Sequence, residues 1–355
     1  MHQSDICVAG AGIIGLSLAL ELHRRGLRVT VLDQGTPLAE ASTAAAGMLA
    51  ANDPDNPPLL QPLSDLSITL YPAFLEQLRI LTGIRVPFHT HTTLQSLPPH
   101  IPTADNILTP EDLTHLLPSL IPTGHRFILL DEHSLDPREL ATALLAAVHA
   151  TTIDLRPFTP TLSIQHHPDS IEVHTPTGVL HASQFVDCTG AWAATTSPLH
   201  VAPKKGQMLA VSLPSSFPLH FVVRTPDIYI VPRTTNPAAF RAIIGATVED
   251  AGFDKTVHPS DIAHLRNLAA ALIPTLADAP ELETWAGLRP ATPDGLPLLG
   301  PLPTQPRHLL ATGHYRNGIL LAPATAHVMA QHLTGETPSL DLSPFSPARR
   351  FPVPS

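Results

Sequence analysis

Residues 5–33, "DICVAGAGIIGLSLALELHRRGLRVTVLD", constrain the fold more than any other stretch. "DICVAG" is a short apolar run with strand character. "LSLALELHRRG" carries Leu16, Ala19, Leu20 and Leu22 at helical spacing, and Gly26 closes it. "RVTVLD" is a second strand that ends in an acid. Gly10-x-Gly12-x-x-Gly15 sits between the first strand and the helix, and Asp33 ends the next strand. A glycine triplet alone is weak; in this βαβ context it is a dinucleotide fingerprint. Gly10 permits the tight turn, Gly12 lets a pyrophosphate approach the backbone, and Gly15 lets the helix sit close on the sheet. Helix N–H groups and the helix dipole then face the anion. Asp33 accepts from the ribose hydroxyls and would repel a 2′-phosphate. The motif by itself leaves NAD and FAD both open.

With 355 residues, 43% of them hydrophobic, and a mean hydropathy of +0.13, the chain can bury more than one core, and two domains are expected. A formal charge of −10 argues against a nucleic-acid partner, and no Lys/Arg run offers a membrane-surface patch. The apolar N-terminal run has Asp5 in place of a basic flank and no small-residue cleavage site. No apolar run reaches the roughly 18 residues of a membrane span. A soluble, cytoplasmic protein is expected. Cys7 and Cys188 lie in apolar runs and read as buried thiols. The 21 histidines are scattered without metal-ligand spacing, so no metal is expected. Most of the 40 prolines mark stiff connections such as "NDPDNPPLLQPL", and the tail 346–355 reads as poorly ordered.

Helices are expected at about Leu63 to Leu81, within "TPEDLTHLLPSL", and over "DPRELATALLAAVHA", where Asp136 is the N-cap and Pro137 the first helical residue. A β-meander follows and stops at Gly190. The region from about 203 to 285 is dominated by strands, with one helix at "PSDIAHLRNLAAALI", and the chain then returns to strand–turn–helix. Lys204–Lys205 reads as the start of a strand, without an assigned role. The small-residue run "ASTAAAGMLA" suits backbone lying flat against a large planar ligand.

"AGAGIIGLSLALELHRRGLRVTVLDQG", "ASTAAAGML", "YIVPR", "WAGLRPATPDGLPLLG" and "ATGHYRNGILLAPATA" together resemble the glycine oxidases of thiamine biosynthesis, within the D-amino acid oxidase family. The resemblance runs from residue 5 to about 326. It implies an α/β fold in which an FAD-binding Rossmann-like βαβ domain (1–81, 136–202 and 285–345) interleaves with a mainly antiparallel α+β substrate domain (82–135 and 203–284). The cofactor implied is non-covalent FAD. Its pyrophosphate is expected at Ile13 and Ile14, its ribose at Asp33 and Gln34, and its adenine end near Thr161. Ala41, Ser42, Ala46, Gly47, Met48 and Gly190 would line the flavin. His314 to Leu320 (His314, Tyr315, Arg316, Asn317, Gly318, Ile319, Leu320) would pass its ring. Substrate contacts would come from Arg289 and Tyr229, with Arg316 beside them.

The lone cation Arg289 has independent support. An amino acid brings a carboxylate into an apolar cavity, where a guanidinium fork can meet both oxygens. Two departures from the family pattern fall at the same pocket. Asp227 stands where those oxidases carry histidine, and Val248 where they carry methionine. Either could reset side-chain preference, and the added acid could favour a cationic amine. The activity implied is oxidation of glycine, sarcosine or a small D-amino acid, releasing imine or 2-oxo acid, ammonia and hydrogen peroxide. Dioxygen is the acceptor, a thiazole synthase is a further partner, and a homo-oligomer is expected. An amine or D-amino acid dehydrogenase with another acceptor is the alternative, and a non-catalytic flavin-binding protein a remoter one. Covalent-flavin sarcosine oxidases are disfavoured, because no cysteine follows Cys188. No general base is named, since hydride chemistry belongs to the flavin; His314 reads as a histidine packed beside the ring.

Overall fold

The structure is a computed structural model that describes residues 3–98, 106–196, 200–214, 216–233 and 240–351. The first βαβ unit is β1 (Gln3–Ala9), α1 (Ile13–Arg24) and β2 (Val29–Leu32). β1 pairs in parallel with β2 on one side and with the strand Gly178–Asp187 on the other. Gly178–Asp187 in turn pairs in parallel with Gln305–Thr312. Asp154–Arg156 flanks β2, and Leu298–Leu302 closes the far edge in antiparallel sense. The hairpin of Ser163–His166 and Ile171–Thr175 is appended to the front half of Gly178–Asp187, completing the expected meander.

The sequence suggests a one-sided amphipathic α1, whereas Ile13 through Leu20 and Leu22 are all buried. The helix is enclosed because Gly318–Leu333 and Pro137–His149 pack on its outer faces while its inner face meets the sheet. Leu16, Leu18 and Leu22 are fully buried, each worth about 1.5–3 kcal/mol relative to exposure. Pro137–His149 starts as its sequence dictates, with the Asp136 carboxylate accepting the Arg138 N–H at 2.8 Å.

The second sheet has the strand order Glu281–Ala291, Ala202–Ser212, Arg241–Gly245, Tyr229–Arg233, Val222–Arg224, Thr93–Ser96, Phe127–Leu130. All its pairs are antiparallel except Val222–Arg224 with Thr93–Ser96. Glu281–Ala291 lies wholly in this sheet, so the chain returns to the first sheet only at Leu298. Strand alternation assigns the two faces. Leu94, Val223, Ile230, Ile244 and Leu209 are register partners packed into one cluster with the helix Pro259–Leu272. Their neighbours Gln95, Arg224, Tyr229, Gly245 and Met208 form a row on the opposite face, which looks into the cavity.

The described part of the tail is fastened. Arg349 bonds the Asp294 carboxylate at 2.7 and 2.9 Å and also donates to the Leu296 and Pro297 carbonyls. A loose end is therefore corrected for residues 346–351, because a bidentate ion pair holds them; residues 352–355 lie outside the described residues. Among the described residues no helix is long and apolar enough to cross a membrane.

Candidate active site

A cavity of about 350 Å³ runs between the two sheets. At one end it meets the turn after β1. Gly10 has φ +99°, and a Cβ there would lie 2.4 Å from the Cys188 carbonyl oxygen. Gly12 caps α1 without a side-chain bond, and the Ile13 N–H donates to Ser42 Oγ at 2.9 Å. Gly10, Gly12, Ile13 and Ile14 all border the cavity. Gly15 does not: a Cβ there would sit 1.9 Å from the Gly10 carbonyl oxygen, so it is a packing glycine beneath the turn.

Asp33 and Gln34 border the cavity next. The Asp33 carboxylate accepts the Ala11 N–H at 2.6 Å and the Gly35 N–H at 2.8 Å. Burial raises its pKa, with those two bonds opposing the shift. Thr161 lies at the same end, and its hydroxyl is buried without a hydrogen-bond partner.

The small-residue run forms the middle of the wall. Ala41 and Ser42 begin the short helix Ala41–Ala44, and Ala46, Gly47 and Met48 follow along the cavity. Gly47 has φ +77°, and a Cβ there would meet the Leu135 carbonyl oxygen at 2.0 Å. The backbone is braced from behind, since Trp285 donates to the Ala44 carbonyl at 3.0 Å and Arg233 to that of Ala46. Gly190 (φ +60°) faces the run, and its carbonyl accepts the Thr312 hydroxyl at 3.1 Å.

His314, Tyr315, Arg316, Asn317, Gly318 and Ile319 complete this wall at the start of the helix Gly318–Leu333. Leu320 belongs to the core instead: it is 1% exposed and its carbonyl accepts from Ser67. The expectation for Leu320 is corrected because the helix has by then turned this side chain away. His314 is buried, shares a 3.0 Å hydrogen bond with the Thr325 hydroxyl, and is pushed down to about 3 by burial. Its ring is neutral at any ordinary pH.

The second sheet supplies the opposite wall with Arg289, Tyr229, Val248 and Asp227. Arg289 Nη1 donates to the carbonyls of Thr247 (3.1 Å) and Lys205 (3.4 Å). Among the described residues no carboxylate lies within 4.0 Å of its guanidinium. Burial raises the Tyr229 pKa, while Arg289 and then Arg316 pull it back. Arg316 faces the carboxylates of Asp53 (3.9 Å) and Asp55 (3.8 Å). Asp227 is exposed and Val248 is 60% exposed, which places both at the mouth.

Sequence reasoning did not find Gly206, Gly245, Met208, Gln95, Arg224 or Asp53, which also border the cavity. Strand alternation through Lys204–Met208 could have offered the first and third. Arg224 is 4% exposed and pairs with Glu132 at 2.9 Å, with Asp53 3.7 Å away. Only the tertiary fold joins those three, and no local pattern announces them.

Over residues 5–332 the chain matches the family described as DAO, FAD dependent oxidoreductase. The chain belongs to this family of FAD-dependent oxidoreductases. The oxidoreductase is 33% identical to glycine oxidase of Geobacillus kaustophilus (strain HTA426) over 376 residues, covering 99% of this chain and 98% of the relative. It is 36% identical over 365 residues to the bifunctional protein ThiO/ThiG of Trichormus variabilis, covering 97% of this chain but 55% of that protein. The chain thus spans about half the length of that relative. The crystal structure of glycine oxidase from Geobacillus kaustophilus superimposes with a TM-score of 0.91 at 30% identity, covering 99% of this chain and 100% of the other.

The cofactor is FAD, and the residues present fit it. Gly10, Gly12 and Gly47 present backbone without side chains to the cavity, where a large cofactor can approach closely. The N-terminus of α1 opens on the cavity for an anion. The orphaned Thr161 hydroxyl has an unmet bond at the Asp33 end.

Proposed function

We propose that this FAD-dependent oxidoreductase oxidatively deaminates glycine or another small amine or D-amino acid. The observation that carries the reading is Arg289, a guanidinium on the cavity wall with no carboxylate of the described residues within 4.0 Å. Arg289 is half-buried, and a charge withdrawn from water without a counter-charge is costly; a substrate carboxylate supplies one. Arg316, by contrast, already faces Asp53 and Asp55. The likeness to glycine oxidases supports the same class of substrate.

Gly10, Gly12, Ile13 and Ile14 would hold the pyrophosphate, Asp33 and Gln34 the ribose, and Thr161 the adenine end. Ala41 to Met48, Gly190 and the segment from His314 to Ile319 would enclose the ring system. When bound, FAD supplies the two-electron oxidation of the substrate's C–N bond and passes the electrons to dioxygen as hydrogen peroxide. Arg289 would orient the substrate through its carboxylate. Tyr229 adds a donor to the same carboxylate. His314, neutral and hydrogen-bonded to Thr325, fills the wall. The released imine takes up water, giving the 2-oxo acid and ammonia. Asp227 and Val248 at the mouth select side chains. The ThiO/ThiG relative supports consumption of the product in thiazole synthesis, which channelling to a co-purified thiazole-forming partner would test.

The decisive experiment is anaerobic bleaching of the flavin band near about 450 nm by glycine, sarcosine, D-alanine and D-proline, followed by air and a peroxide assay. Bleaching by a small amino acid and peroxide on aeration are expected. A yellow protein that no amine bleaches refutes the reading; bleaching without peroxide would favour a dehydrogenase.

A further inference from the structure

Lys205 is 0% exposed, an unusual place for an ammonium group. On its strand Gly206 and Met208 line the cavity, so Lys205 and Gln207 point to the opposite face, away from ligand. Its ammonium lies 3.2 Å from the Glu249 carboxylate. The two residues also exchange both backbone hydrogen bonds at 3.0 Å. Glu249 accepts from Gln207 Nε2 at 2.8 Å and from the Thr247 hydroxyl, which itself accepts the Gln207 N–H at 2.8 Å. Residues 246–250, which leave the strand Arg241–Gly245, are thereby fastened to the middle of a neighbouring strand.

This network ends on Arg289. The two carbonyls that Arg289 Nη1 bonds belong to Thr247 and Lys205, both members of it. Gly206, directly beneath, makes room for the guanidinium in this position, since a Cβ there would lie 2.3 Å from Nη2. An apolar side chain could have filled the space of Lys205; an ion pair there fixes a register instead. Lys204, its sequence neighbour, makes only a surface pair with Asp250.

We propose that Lys205 is a positioning residue for recognition of the substrate carboxylate: its pair with Glu249 fixes the carbonyls of Thr247 and Lys205 that orient Arg289. The inference rests on Arg289 holding that carboxylate. It is tested on FAD-loaded Lys205→Met and Glu249→Gln, the second keeping a side chain that can bond Thr247 and Gln207. Acetate, a carboxylate without an amine, is titrated against the flavin absorption spectrum, and glycine reduction is followed anaerobically. Both variants are expected to bind acetate about tenfold more weakly and to raise the glycine KM by about the same factor. The limiting reduction rate should stay within about twofold of wild type, since uniform binding is what is lost. FAD-replete variants with wild-type acetate affinity and KM overturn the proposal, and so does a lowered limiting rate with KM unchanged. Should Lys205→Met fail to fold, Glu249→Gln decides alone. A wild type that binds acetate but is bleached by no amine would defeat the oxidase reading while the acetate comparison still tests Lys205. A wild type that binds no carboxylate overturns the positioning role.

Discussion

Replacing Gly206 with alanine should damage substrate recognition without touching a charged group. A Cβ at this position would lie 2.3 Å from Arg289 Nη2, 2.4 Å from Nη1 and 2.5 Å from Cζ. Non-bonded heavy atoms settle at about 3.5 Å, so the guanidinium must withdraw by about 1 Å. Gly206 has no left-handed φ, so the backbone accepts alanine and the strain falls on Arg289. Withdrawal breaks the alignment of one arm of the fork on the substrate carboxylate. A hydrogen bond to a charged group is worth about 1.5–3 kcal/mol, which converts to a roughly 10- to 150-fold loss in kcat/KM, carried mainly by KM. The assay is steady-state turnover of the best amine substrate, with flavin content measured on the same preparation. A variant with full flavin content and wild-type kcat/KM would refute the placement of the carboxylate on Arg289.

Two further outcomes follow from other parts of the structure. Asp33→Ala leaves the Ala11 and Gly35 N–H groups without their acceptor and removes the ribose partner; FAD should dissociate about 10- to 100-fold more readily, read from recovery of flavin fluorescence, and unchanged affinity would remove Asp33 from the site. Burial holds His308 down to about 4 against an ordinary value of about 6.5, so between those limits the unfolded chain binds the extra proton and stability falls as pH drops. His308 should account for about 3 kcal/mol of that loss; His308→Phe should flatten the urea midpoint over this window, and an unaltered slope would refute the assignment.

The glycine fingerprint, the Asp136 cap and the meander were legible because each is set by residues close in sequence. Gly10 needs its φ and Gly12 its open approach whatever the rest of the chain does. The same local view overstated Leu320 as a ligand neighbour, since one residue of offset decides which side of a helix faces a cavity. It also missed the full enclosure of α1, which depends on a helix contributed some three hundred residues later. The Arg224–Glu132–Asp53 group and the burial of Lys205 were out of reach for the same reason. Strand register in the second sheet assembles these charges, and register is a property of pairs of distant segments. Arg289 was legible as a functional cation, but the carbonyls that hold it became visible only with the fold.

The cavity wall joins residues from the two far portions of the chain, with Gly10 and Gly12 beside Ala311 and Thr312. Synthesis delivers them at a rate of about 5–20 residues per second, so the first glycine turn waits on the order of 15–60 seconds for Gln305–Thr312, which joins the sheet one strand away from β1. During that interval α1 lacks the cover of Gly318–Leu333. A nascent chain stalled before residue 305 presents the fingerprint without the strand and helix that complete its site. The two ends of the cavity wall therefore come together only once Gln305–Thr312 and the segment up to Ile319 have been made.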